Sequence, residues 1–221
     1  MARRKTASSQ ELFKLLVEAR NQRSKGRLLP FAKQVASDQS HILHRHLNSY
    51  PEIPFEITNG DLEQIKRLYK FPSAVDLDHS WTSWEKIFYG ILWKDGKLES
   101  IKRIIEGAEG ALKNTNELPS SAVVYYYFGR HLTNRLKEPL VDQHVVRAYR
   151  LIENQDQSKI QEIRQSGIPT VKEAEDYREW FTTILNSENI TTYEDSRALD
   201  SFLFALGAFA KIKPMTERGH R

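Results

Sequence analysis

The feature that most constrains this chain is a succession of apolar runs with helical period, several opened by a helix-start signature. Ser8-x-x-Glu11 precedes Leu12, Leu15, Leu16 and Ala19; Thr58-x-x-Asp61 precedes Leu62, Ile65 and Leu68; Thr82-x-x-Glu85 precedes Ile87, Phe88, Ile91 and Leu92. A Ser or Thr followed three residues later by an acid satisfies backbone N–H groups that a first helical turn leaves free. Apolar residues three and four apart then line one face. The first run predicts a helix to about Arg23, followed by a basic loop, Ser24 to Leu29. Pro30 opens the next helix at its favoured first position, and that helix carries Phe31, Val35, Ile42, Leu43 and Leu47 before Pro51. Further helices follow at Leu98–Ala108, Ala122–Phe128, Val171–Leu185 and Tyr193–Ile212. Strand-like alternation is missing over any useful length. Ala122–Phe128 is the one run that rivals it, and it lacks a partner. The expected fold class is all-α, without repeats or low-complexity segments.

Composition narrows the chemistry. With 221 residues, 39% hydrophobic and 28% charged, the chain is long enough for one large domain or two lobes with a proper core. Cysteine is absent, which excludes disulfides, thiol catalysis, thiolate zinc sites and ordinary iron–sulfur clusters. No apolar run approaches the ~18–20 residues of a membrane span, so no membrane partner is expected. Met-Ala-Arg-Arg-Lys lacks the apolar stretch of a signal peptide, and a cytoplasmic location is expected. The formal charge of +4 is modest, with basic residues gathered near the ends, from Arg3 to Arg27 and from Lys211 to Arg221. Solvated tails or phosphate contacts both account for that.

One stretch draws attention, Val141-Asp142-Gln143-His144-Val145-Val146-Arg147-Ala148-Tyr149-Arg150-Leu151. Asp142 follows a loop and precedes a helix-periodic run, so it reads as an N-cap at the positive end of a helix dipole. Val145, Val146, Tyr149 and Ile152 share a face, while Arg147 and Arg150 fall off it. An ordinary cap and a functional carboxylate both fit. The string resembles the pattern V-D-x-H-V-x-R-x-x-x-R-L of the helix-hairpin-helix DNA glycosylases, the relatives of endonuclease III and adenine glycosylase. Four further stretches resemble the same superfamily in the same order. They are Phe31–Ser40 with a Ser-x-Gln-type end, Ile91–Ile101, Leu118–Val124 at the place of L-P-G-V-G-x-K-T-A, and Leu206–Pro214 at the place of L-G-A-x-x-C. Together they cover roughly residues 30–214.

The departures from that pattern are as informative. Leu118-Pro119 is followed by Ser120-Ser121-Ala122, so both hairpin glycines are missing. Those glycines let backbone approach a phosphate, and their loss leaves the anchor shortened or rebuilt from the Lys113–Glu117 loop. Ala210 stands at the cluster cysteine, so no cofactor is expected. Ser120 or Ser121 stands nearest the lysine of strand-cutting members, and Ser cannot form a Schiff base with C1′. Val35 stands where adenine-specific relatives carry a glutamate.

The resemblance implies a two-lobed helical fold. In it, 1–30 packs with the C-terminal lobe, 31–152 forms the lobe with the degraded hairpin and Asp142, and 153–221 completes the second lobe. It implies a monomeric, monofunctional DNA glycosylase acting on double-stranded DNA that contains a damaged or modified base, including modified bases of phages. Asp142 would be catalytic. Gln39, Trp93 and Tyr126 would fill the gap or line the base pocket. Lys113, Ser120, Ser121, Arg130, His131 and Arg147 would contact DNA. A degraded glycosylase fold that only binds DNA, and an all-α interaction protein in which Asp142 is only a cap, are the alternatives. His41, His44 and His46 lack a thiol or a suitably spaced acid, so they read as a partly exposed face rather than metal ligands. Tyr125–Phe128, which covers all sides of a helix, reads as core, though one ring of the run could flank a base pocket.

Overall fold

The computed structural model describes residues 9–50, 53–69, 87, 90–91, 94–95, 98–115, 118–119 and 121–211. Among them every regular element is a helix and no strand occurs, as the periodicity dictates. None of these helices is long and apolar enough to cross a membrane. In chain order they are α1 (Ser9–Ser24), α2 (Leu28–Ser37), α3 (His44–Leu47), α4 (Asn59–Tyr69), α5 (Leu98–Leu112), α6 (Val123–Thr133), α7 (Gln143–Glu153), α8 (Gln157–Gln165), α9 (Val171–Ser187) and α10 (Tyr193–Ala210). The Thr82-x-x-Glu85 signature lies outside the described residues.

The chain divides into a discontinuous unit, Met1–Glu52 with Pro139–Arg221, and a continuous one, Ile53–Glu138. The boundaries expected at 30/31 and 152/153 therefore fall elsewhere. The reason is α10, which packs on α2, α3 and α7 and so draws residues 31–52 and 139–152 into the unit of the chain ends. Leu199, Phe202, Leu203, Ala205, Leu206 and Ala210 of α10 are buried and form the middle of that core. Gly207 permits the contact with α7, because a Cβ there would drive into the His144 carbonyl; only glycine lets two backbones approach so closely.

The helix ends of the discontinuous unit are satisfied by side chains from other helices. α2 has no side-chain cap of its own; instead Leu28 N and Leu29 N donate to the two carboxylate oxygens of Glu188, both at 2.8 Å. Arg20 of α1 donates to Leu151 O and Asn154 O at the end of α7. Arg147 and Arg164 donate to Gly207 O and Ala210 O at the end of α10. Free carbonyls at a helix C-terminus accept well from cations, which also face the negative end of the dipole. Residues in the left-handed region close three helices: Gly26 after α1, Asn114 after α5 and Asn189 after α9. In each case the next amide bonds back five residues, Arg27 N to Gln22 O, Thr115 N to Gly110 O and Ile190 N to Leu185 O.

Two local features differ from expectation. The helix from Pro30 stops at Ser37, because Asp38 Oδ1 accepts from Ser40 N and Ser40 Oγ and turns the chain. α8 is an additional helix, opened by Asp156 accepting from Ser158 N. In the continuous unit the Thr58/Asp61 signature forms as read, with Thr58 N donating to Asp61 Oδ2 and Asp61 N to Thr58 Oγ1. Leu62, Ile105 and Ala108 form the core there, flanked by Ile57, Ile65, Ile101 and Leu112. Ala122–Phe128, the strand rival, lies in and just before helix α6, whose Gly129 meets the Ile104 carbonyl while Gly107 of α5 meets that of Tyr126.

Candidate functional site

Asp142 is the N-cap of α7, as its place in the sequence predicts. Its backbone is extended, and Oδ1 accepts from His144 N at 2.6 Å and Val145 N at 2.9 Å. Both bonds go to the same oxygen. Oδ2 has no hydrogen-bond partner among the described residues, and the side chain is half-buried. The carboxylate is thus locked in orientation through one oxygen and presents the other. The loop that delivers it is also fixed, because Leu140 N donates to Asp200 at 3.1 Å. Asp200 is buried and also accepts from Tyr50 Oη at 2.7 Å and Tyr177 Oη at 3.0 Å. Burial, and then the neighbouring Asp200 charge, hold both tyrosine hydroxyls well above their usual range.

His144 stands two residues on and was missed as a site residue, although it lies within the string that drew attention. Its ring packs edge-on to Phe204, with centroids 5.1 Å apart. Its Nδ1 lies 3.1 Å from Arg147 Nη1. Arginine only donates, so Nδ1 accepts and the ring proton sits on Nε2. Desolvation lowers the pKa of His144; the Asp142 charge opposes that, and Arg147 and Lys211 add to it. The site therefore pairs a fixed carboxylate with a neutral imidazole, a combination able to accept a proton from water and to face positive charge.

The other expected site residues are placed as follows. Arg147 is 0% exposed and donates to Gly207 O and Ser166 O, with Nε buried and unpartnered. It is read off the apolar face, yet it is enclosed because its fork meets those carbonyls. Its donors do not reach a phosphate. Arg130, 3% exposed, makes a two-pronged ion pair with Glu138 and donates to Thr115 O. Burial works against its charge, but Glu138 and the Tyr126 hydroxyl hold its pKa above the ordinary value. His131, 5% exposed, shares Nδ1 with Glu138 O at 2.7 Å. Tyr126 is buried with its ring edge-on to Tyr127.

Gln39 is exposed in the turn that ends α2, and no hydrogen bond joins it to Asp142. Lys113 is exposed and lies 3.7 Å from Glu109, and Ser121 is exposed. Trp93 and Ser120 lie outside the described residues. Ala122, which follows Ser121 and precedes α6, has φ 52, the left-handed conformation that glycine favours. His41, His44 and His46 are half-buried, and no group of three or more potential ligands among the described residues is arranged to hold a metal.

No protein-family model matches the chain, and no curated protein or solved structure matches it significantly.

Proposed function

We propose that this chain is a monofunctional DNA glycosylase, removing a damaged or modified base and leaving an abasic site. The reading rests on the resemblance of five ordered stretches to the helix-hairpin-helix glycosylases and carries that superfamily's two-lobed fold with it. The observation that carries it is Asp142, whose Oδ1 is held by two backbone amides while Oδ2 has no hydrogen-bond partner among the described residues.

In this reading the base is first extruded from the duplex, which costs a few kcal/mol and least for damaged or mispaired bases. The N-glycosidic bond breaks with its electron pair leaving on the base nitrogen, and positive charge gathers at C1′. The fixed carboxylate of Asp142 stabilises that charge. Water then adds to C1′, giving its proton to Asp142, and the departing base is protonated in turn. No lysine is positioned for a Schiff base in the pattern, so the strand stays intact until alkali is added.

A second reading is favoured by a specific observation: Arg130, His131 and Arg147, expected on phosphates, are all buried and make their hydrogen bonds inside the protein. An all-α interaction protein, in which Asp142 only caps α7, accounts for that. The test is incubation of the purified protein with duplexes carrying different modified bases, followed by alkali. Strand breaks that need alkali and disappear in Asp142→Asn are the expected result. No breaks on any substrate would leave the binding-only glycosylase fold if the protein still binds duplex DNA; no breaks and no DNA binding, with Asp142→Ala losing only the ~0.5–2 kcal/mol of a cap, would establish the second reading.

A further inference from the structure

Arg147, the cation expected to hold DNA on α7, is enclosed, so the cations open to a ligand around the start of α7 come from other elements of the same unit. Three elements meet there, since α10 packs on both α3 and α7. Near the C-terminal end of α10, Phe204 lies edge-on to His144 and Phe209 edge-on to His46, with centroids 5.1 and 6.2 Å apart. Lys211, which closes α10, donates from Nζ to Gln143 Oε1 at 3.0 Å, next to Asp142 in the chain. Lys211 is exposed and has no carboxylate partner among the described residues. Arg45, beside His46 on α3, is exposed and has neither hydrogen bond nor ion pair among the described residues. Its charge lowers the pKa of His46, after desolvation.

The acids near this face are few. Asp142 is the site carboxylate. Asp38, which acts on His41, is tied to Ser40, and Asp200 is buried on Tyr50 and Tyr177. The result is two exposed cations without a carboxylate partner among the described residues, one at the end of α10 bonded to the first turn of α7 and one on α3 where it packs on α10, among half-buried imidazoles and aromatic edges. Phosphate oxygens on a regular backbone are the chemistry that suits it.

We infer that the face formed by α3, the first turn of α7 and the C-terminal end of α10 holds the phosphate backbone of DNA, with Arg45 and Lys211 as its phosphate contacts. This rests on DNA being the partner, as proposed above, but not on base excision. The test is fluorescence anisotropy of the full chain with a short, labelled, unmodified duplex over a salt series. Arg45→Ala/Lys211→Ala removes two contacts, so the slope of log affinity against log salt should become shallower by about 1.8, with affinity falling about tenfold. Lys25→Ala/Lys172→Ala removes the same charge from exposed positions elsewhere in the unit and should leave the slope unchanged. Circular dichroism of each variant establishes that it is folded. A wild-type slope in the first variant, an equal loss in the second, or no binding by the wild type would overturn the assignment. Binding that depends on Arg45 and Lys211 without excision of any base would support this face while removing the glycosylase reading.

Discussion

At His144 a single ring couples the site to pH. Its folded pKa lies below the ordinary value of about 6.5, chiefly because burial disfavours the imidazolium, with Asp142 opposing and Arg147 and Lys211 reinforcing. The unfolded chain therefore binds a proton at a higher pH than the folded one. The stability His144 contributes is complete above about pH 6.5 and is lost as pH falls through the folded pKa. His41 and His46 are shifted the same way, again mainly by desolvation. Thermal melts of the wild type should therefore lose Tm on acidification from neutral pH to about pH 5. His144→Gln removes the titration while keeping an acceptor for Arg147, and its Tm should depend less steeply on pH in that window. Parallel curves for the two proteins would show that His144 does not carry the effect.

Between helices, bonds at helix ends add to the packed faces in tying the discontinuous unit together. Glu188, just past α9, caps α2 through both oxygens at a sequence distance of 160 residues. Glu188→Ala leaves two helix-start amides without a protein acceptor in a partly buried place, a loss of about 1–3 kcal/mol. At about 2–4 °C per kcal/mol for a chain of this size, the melt should show it directly. Glu188→Gln, which keeps one acceptor oxygen, should lose less. A melt of Glu188→Ala matching the wild type would mean that water replaces the carboxylate at no cost. This device also marks where sequence reading stops. Periodicity and local caps are short-range signals, so most of the helices, the Asp142 cap and the Thr58/Asp61 box are legible, while α8 and the early end of α2 are not. Whether an arginine meets a phosphate, a carboxylate or the end of a distant helix depends on partners outside its own helix, 60 residues away for Arg147 and Gly207 O. Arg147 was read as a surface cation for that reason, and only the packing of α10 on α7 encloses it. Lys211 has no local signature; its bond to Gln143 comes from that same packing.

For the whole molecule, the order of folding follows from how the two units are threaded. The continuous unit, Ile53–Glu138, is interposed between the two segments of the other. Its α5 and α6 are neighbours in sequence and pack directly together. Arg130 closes its links to Thr115 and Glu138 over 15 and 8 residues. The discontinuous unit closes over far longer loops: 131 residues from Arg20 to Leu151, 150 from Tyr50 to Asp200 and 160 from Leu28 to Glu188. Loop-closure entropy must be overcome before such contacts give any return, so local pairings form sooner. During synthesis the continuous unit is also complete before residues 139–211 emerge, whereas the other cannot close until they do. Pulsed hydrogen exchange during refolding from denaturant should therefore find the amides of α5 and α6 protected before those of α2 and α10. With cysteine absent, no disulfide step complicates the kinetics. Simultaneous protection of all four helices would mean the two units fold as one cooperative body, and earlier protection of α2 and α10 would reverse the proposed order.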